Sequence, residues 1–242
     1  MMPIVIWRIK RMSMKLVRVV LGGVLAVALS VPAQSAILSF TNVGSFQAAA
    51  TGTLTTLGFE GITPPGVSTQ IFGGLSLGGH TFVGTGNTGA GNFDDTYVIS
   101  PTAGFGVMPS DFLWGGFALG ATGTLVVNLA PGVTAAGGLV SNYQFAGSPT
   151  VPVTVRAIGS LGADVSVIVN TLANPDYVFA GFTSTGGESI VSITYSINIA
   201  STAPASAIFL DDFQSNAVPE PASLILVGAG LLGLGFVARR RP

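Results

Sequence analysis

The 242-residue chain has no cysteine and one histidine, His80. No disulfide can staple the fold, and a zinc site built from nitrogen and sulfur donors lacks its ligands. Charged residues are only 8% of the chain, and bases are the scarcest of all where the chain is longest. Both lysines and six of the seven arginines lie in the two terminal segments, so Arg156 is the one base between residues 37 and 218. Nine of the ten acids fall in that same stretch, which gives the body a charge of about −8. Such a body has no cationic patch to displace phosphate counterions, and nucleic acid is excluded as a partner. Long apolar runs are also missing from the body and occur only at the two ends.

The N-terminal run begins at Met14, in "MKLVRVVLGGVLAVALSVPAQSA". Lys15 and Arg18 form a basic n-region, residues 19–31 an apolar h-region, and Ala33, Ser35 and Ala36 offer small side chains for cleavage. Residues 1–36 therefore read as a secretory signal peptide, with Met14 the expected true start. Its partners are the Sec translocon and signal peptidase, and the mature chain begins near Ile37.

The C-terminal run lies in "AVPEPASLILVGAGLLGLGFVARRRP", residues 217–242. Residues 222–238 carry no charge and one hydroxyl, Ser223. As a helix they would span roughly 25 Å, a little less than the ~30 Å hydrocarbon core. Arg239, Arg240 and Arg241 follow at once. Their long side chains can snorkel to the headgroups and hold that end on the cytoplasmic side, which places the body outside the inner membrane. Pro219 and Pro221 cannot continue the helix and keep Glu220 extended just before it.

A signal peptide, an exported body, then Pro219, Glu220 and Pro221, an apolar helix and an arginine cluster resembles the PEP-CTERM sorting signal. The resemblance implies an exosortase as partner, a membrane-embedded enzyme similar to cysteine transpeptidases, in a Gram-negative bacterium that makes exopolysaccharide. It also implies that the tail is a transient inner-membrane anchor, removed as the protein passes to the envelope or extracellular matrix.

The body, residues 37–216, is rich in glycine and small hydroxyl residues and poor in helix formers, with short runs of Val, Ile, Thr and Phe between turn signals. That pattern predicts an all-β domain. In "SIVSITYSINI" Val191, Ile193, Tyr195, Ile197 and Ile199 are expected on one face. "VPVTVRA", "GTLVVNL" and "DVSVIVN" repeat the alternation, and "APGVTAAGG" and "GSLGA" are read as turns. "SFQAAATG" near Ser45 predicts one short helix, and residues 84–91 a Gly-rich loop. The expectation is an antiparallel two-sheet sandwich flanked by a signal-peptide helix and a C-terminal transmembrane helix.

"LGFEGI" at residues 57–62, the strands that follow and the closing "AIFLDDF" are similar to jelly-roll, galactose-binding-like sandwiches. That resemblance implies that an acid from the first strand and one from the last, Glu60 with Asp211 or Asp212, hold a structural Ca²⁺, the one cofactor expected. The competing reading puts these acids in water at turns. Trp114, Tyr143 and Tyr177 offer either an aromatic platform for sugar rings or packed core. No nucleophile motif accompanies His80, and no pair of carboxylates is singled out for glycoside hydrolysis. The expected function is an exported, non-enzymatic surface or matrix protein associated with exopolysaccharide. A secreted carboxylate-using hydrolase and a structural coat or adhesive protein without a ligand pocket are the alternatives.

Overall fold

The structure, a computed structural model, describes residues 36–64, 67–86, 96–99, 110–118, 122–144, 151–171, 177–198 and 206–216. The expected signal peptide up to residue 35, the Gly-rich loop beyond residue 86 and the sorting segment with its helix at 222–238 lie outside these residues. Among the described residues no helix is long and apolar enough to cross a membrane.

Two antiparallel sheets form a sandwich. One has the order β1 (Ala36–Phe40), β12 (Val178–Thr185), β9 (Ala135–Gln144), β14 (Ser206–Asn216), β7 (Phe112–Ala118), β6 (Thr96–Ile99) and β3 (Ser68–Ile71), and β2 (Leu54–Leu57) also pairs with β14. The other runs β11 (Asp164–Val169), β10 (Val153–Gly159), β13 (Ile190–Asn198), β8 (Thr122–Asn128), β5 (His80–Thr85) and β4 (Leu75–Leu77). The inward faces supply the core, including Leu125, Val127, Val153, Val155, Ile193, Tyr195, Phe182 and Leu210. Phe82 meets Phe59 and Phe213 edge-on, at ring-centroid distances of 5.6 and 5.4 Å.

The period-2 expectations hold through β8, β10 and most of β13. They slip at the start of β13, where Gly159 pairs with Ile190 but Ile158 pairs with Ser192. Val191 is the extra residue of a bulge: it turns outward, 47% exposed, and Ile190 takes the core position in its place. "APGVTAAGG" is likewise only half a turn, because Ala135 already opens β9. There Gly137 lies opposite Gly181, so close that a Cβ on Gly137 would sit 2.4 Å from the Gly181 Cα. The bare backbone lets helix α1 (Val43–Ala49) lie on the outer face of the sheet, its Phe46 buried beside Phe179 at 5.0 Å. Asn42 caps α1 by accepting the Ser45 N–H at 3.0 Å.

The registers bring one set of turns to a common end: residues 78–79, 130–134, 160–163 and 186–189, with the start of β1 and the last residue of β14 beside them. We term it the closing end.

Candidate functional site

β14 is the longest strand, and one of its edges serves two partners. β7 takes residues up to Leu210, and β2 takes Phe213 to Asn216. The change of partner falls on Asp211 and Asp212, where the pairing with β9 also slips. Asp212 bridges the gap with φ of 45°, a left-handed conformation that Asp tolerates better than most residues at a cost of roughly 1–2 kcal/mol.

The gap collects the acids. β2 leads into Gly58 and Glu60, and Ser110 and Asp111 lead into β7. Asp211 is buried; its Oδ2 accepts the Ser110 hydroxyl at 2.6 Å and its Oδ1 the Asp212 N–H at 2.8 Å. Burial pushes its carboxyl pKa up, the two hydrogen bonds oppose that, and the charges of Asp212 and Glu60 add to the rise. Asp111 accepts the Gly61 N–H at 3.2 Å and so ties the turn after β2 to the start of β7. Glu60 folds back over Gly58, where a Cβ would stand 2.0 Å from Glu60 Oε2.

The structure brings Glu60 within electrostatic reach of Asp211 and Asp212, through β2 beside β14 and not through the first strand, which lies away at the sheet edge. The sequence reading did not single out Ser110, Asp111 or Ser141 for this gap. As placed, the donors fall short of a Ca²⁺ site, which wants six to eight oxygens. Among the described residues no group of three or more acidic or histidine side chains is arranged to hold a metal ion.

Beside this gap runs the outer face of the first sheet. Phe112, Trp114 and Phe209 pack there, Trp114 against Phe209 with centroids 6.1 Å apart. Trp114 is 5% exposed. It is packed, and in this arrangement it presents no open ring for a sugar. The Tyr143 side chain lies outside the described residues; its backbone pairs with Ala207. Tyr177 is half-buried, and burial, then the charge of Asp211, drives its phenol pKa up. Among the described residues its hydroxyl has no hydrogen-bond partner, and neither has that of Ser141, which is fully buried opposite Phe209.

A concavity lies at the closing end. It is a cavity of about 310 Å³ lined by Thr55, Leu57, Gly78, His80, Ala130 and the last two residues of β14. His80 is buried, and its Nδ1 accepts the Ala130 N–H at 3.0 Å. The neutral ring thus carries its proton on Nε2 and donates it to Ser215 Oγ at 2.9 Å. A serine nucleophile needs the opposite arrangement, a bare Nε2 facing the hydroxyl.

Residues 217–241 match the PEP-CTERM protein-sorting motif. No curated protein matches the chain. Among solved structures it is similar to the carbohydrate-binding module TmCBM61 in complex with beta-1,4-galactotriose, at 14% identity and a TM-score of 0.30 over 70% of this chain and 92% of that one. It is also similar to the family 11 carbohydrate-binding module of a cellulosomal cellulase of Clostridium thermocellum, at 7% and 0.26 over 71% and 99%. The enzymatically active domain of tailspike protein 4 of bacteriophage CBA120 overlaps at 14% and 0.24, over 62% of this chain and 19% of that one. Scores this low carry neither ligand nor activity to this chain.

Proposed function

We propose that the protein is an exported, non-enzymatic component of the cell surface or extracellular matrix. An exosortase processes it at its C-terminal tail, and its acidic sandwich then associates with exopolysaccharide. One observation carries the sorting part: the motif at residues 217–241 follows the last strand directly, so that a folded cargo is joined to a sorting segment. In this reading the Sec translocon and signal peptidase act first, the arginines keep the tail in the inner membrane, and the exosortase acts near Pro219, Glu220 and Pro221.

The non-enzymatic reading is supported by His80, whose ring faces Ser215 as a donor. The polysaccharide reading is supported by the exposed acids Glu60 and Asp212 beside the β14 bulge. Sugar hydroxyls can donate to such carboxylates. Calcium belongs to the same proposal: a cation between Glu60 and Asp211 would relieve the repulsion that helps to raise the Asp211 pKa.

Mass spectrometry of the protein from its native host tests the sorting. The extracellular form should lack the arginine tail, and deletion of the exosortase should leave it attached; an intact tail on the secreted protein refutes the proposal. Affinity electrophoresis of the released body in host exopolysaccharide, with calcium or with chelator, tests the second half. Equal mobility with and without the polysaccharide in both conditions refutes it.

A further inference from the structure

The chain enters and leaves the sandwich at one end. Ala36, the first residue of β1, pairs with Thr185, the last residue of β12; Asn216, the last of β14, pairs with Leu54, the first of β2. Both pairs lie at the closing end. Asn216 is bolted there by its whole amide. Its Oδ1 accepts the N–H groups of Thr134 and Ala135 at 3.0 and 3.1 Å, and its Nδ2 donates to Thr51 O at 3.3 Å and Thr134 Oγ1 at 2.8 Å. Only residues 217–221 separate this bolt from the apolar run at 222–238. Five residues fully extended reach at most about 18 Å.

Charge is distributed to match. Of the six described acids, only Asp164 and Glu188 are at the closing end. Asp164 is held bidentately by Arg156, with Nε to Oδ1 at 2.7 Å, so the sole base of the body neutralises it. Glu188 is buried, its Oε1 accepting the N–H groups of Leu161 and Ala163 at 3.2 and 3.1 Å. Glu60, Asp111, Asp211 and Asp212 gather at the bulge, five residues up β14 from Asn216 and so roughly 16 Å away, about two Debye lengths at physiological salt. The closing end also holds Leu161, 67% exposed at the tip of the turn between β10 and β11, with Val191 nearby at 47%.

We infer that, while the tail is inserted, the closing end of the sandwich lies against the lipid headgroups, with the strands upright and the acidic bulge held away from the anionic surface. The inference rests on the reading of residues 222–238 as membrane-inserted. The short tether brings this end to the bilayer, its neutral surface meets no repulsion, and Leu161 can enter the interface. The acids resist any tilt that would lower them toward anionic lipid.

The absence of cysteine makes the test direct. Single-cysteine variants of the mature chain, residues 37–242, with Leu161→Cys at the closing end or Asn198→Cys at the far end of β13, carry one fluorophore each. They are reconstituted into phosphatidylethanolamine–phosphatidylglycerol vesicles containing headgroup-nitroxide lipid. Quenching should be several-fold stronger at 161 than at 198, and a long Gly-Ser spacer between Asn216 and Ala217 should reduce it. Equal quenching, or stronger quenching at 198, overturns the orientation while leaving the anchor intact. If the chain does not float with the vesicles at all, the anchoring reading falls and takes the orientation with it.

Discussion

The last four residues of β14 and the two before them make a contrast within a single strand. From Phe213 to Asn216 every described polar side chain is bonded: Gln214 to Gln47, Ser215 to His80, and Asn216 through both atoms of its amide. At Asp212 the backbone turns left-handed, the Asp211 carboxylate is buried near other acids, and the neighbouring Ser141 and Tyr177 hydroxyls go without partners among the described residues. Buried polar groups are ordinarily paired, because an orphan costs about 1–3 kcal/mol. One half of the strand is built for stability, and the other carries a deficit that a stability-driven sequence would have removed. Such deficits mark places where something other than folding has set the residues.

The largest effect should come from cutting the bolt. Asn216→Ala leaves the N–H groups of Thr134 and Ala135 without their acceptor, and Ala135 is fully buried. A loss of about 2–4 kcal/mol is expected, a fall in Tm of roughly 10 °C. Asn216→Asp keeps the acceptor and should lose distinctly less. If melting by circular dichroism shows Asn216→Ala within a degree of the parent, the closing end is not the stabilising half and the contrast fails.

The two halves also differed in how far the sequence revealed them. Strand faces were readable wherever alternation is unbroken, as in Val153 and Val155 or Ile193 and Tyr195. Alternation is set by the pleat, a local property. The reading failed where a bulge shifts the phase at Val191, and where glycines of β9 serve close sheet packing instead of a turn. Glu60 and Asp211 could be brought together from a fold resemblance. Ser110, Asp111 and Ser141 could not, since their places depend on β7 and β9 flanking β14, pairings separated by tens of residues. The Asn216 bolt was equally hidden, because an asparagine before a proline-rich tail looks like any loop residue.

The halves should respond to acid in opposite senses. At the bulge, the Asp211 pKa is raised above its unfolded value of 3.8, so the folded state holds the proton more tightly. Its penalty is complete above the folded pKa and fades as pH falls toward 3.8. Asp211→Asn keeps its amide oxygen as acceptor for the Asp212 N–H and turns its NH2 toward the Ser110 hydroxyl, which can accept from it; it should raise neutral-pH stability by about 0.5–2 kcal/mol and remove this part of the pH dependence. At the closing end, burial lowers the His80 pKa below 6.5. The unfolded chain then binds the proton first, and His80 stability, fully present above 6.5, is lost as pH falls below that value. A second ring proton would also face the Ala130 N–H. Urea unfolding of the parent and of Asp211→Asn from pH 7.5 to 3.5 separates the two. A variant whose neutral-pH stability equals or falls below that of the parent would show that the bulge carries no electrostatic penalty.

The smallest effect sharpens the contrast most, because it has the sign that structural residues do not show. Ser141 is fully buried, its hydroxyl bonds to none of the described residues, and it stands opposite Phe209 on the outer face beside the Asp211 bulge. Ser141→Ala removes only that orphan atom and leaves a methyl among aromatic neighbours. Stability should rise by about 0.5–1 kcal/mol, a gain in Tm of a few degrees at most. A fall in Tm would mean that the hydroxyl serves packing or an internal bond, and the deficit at the bulge would then be structural in origin.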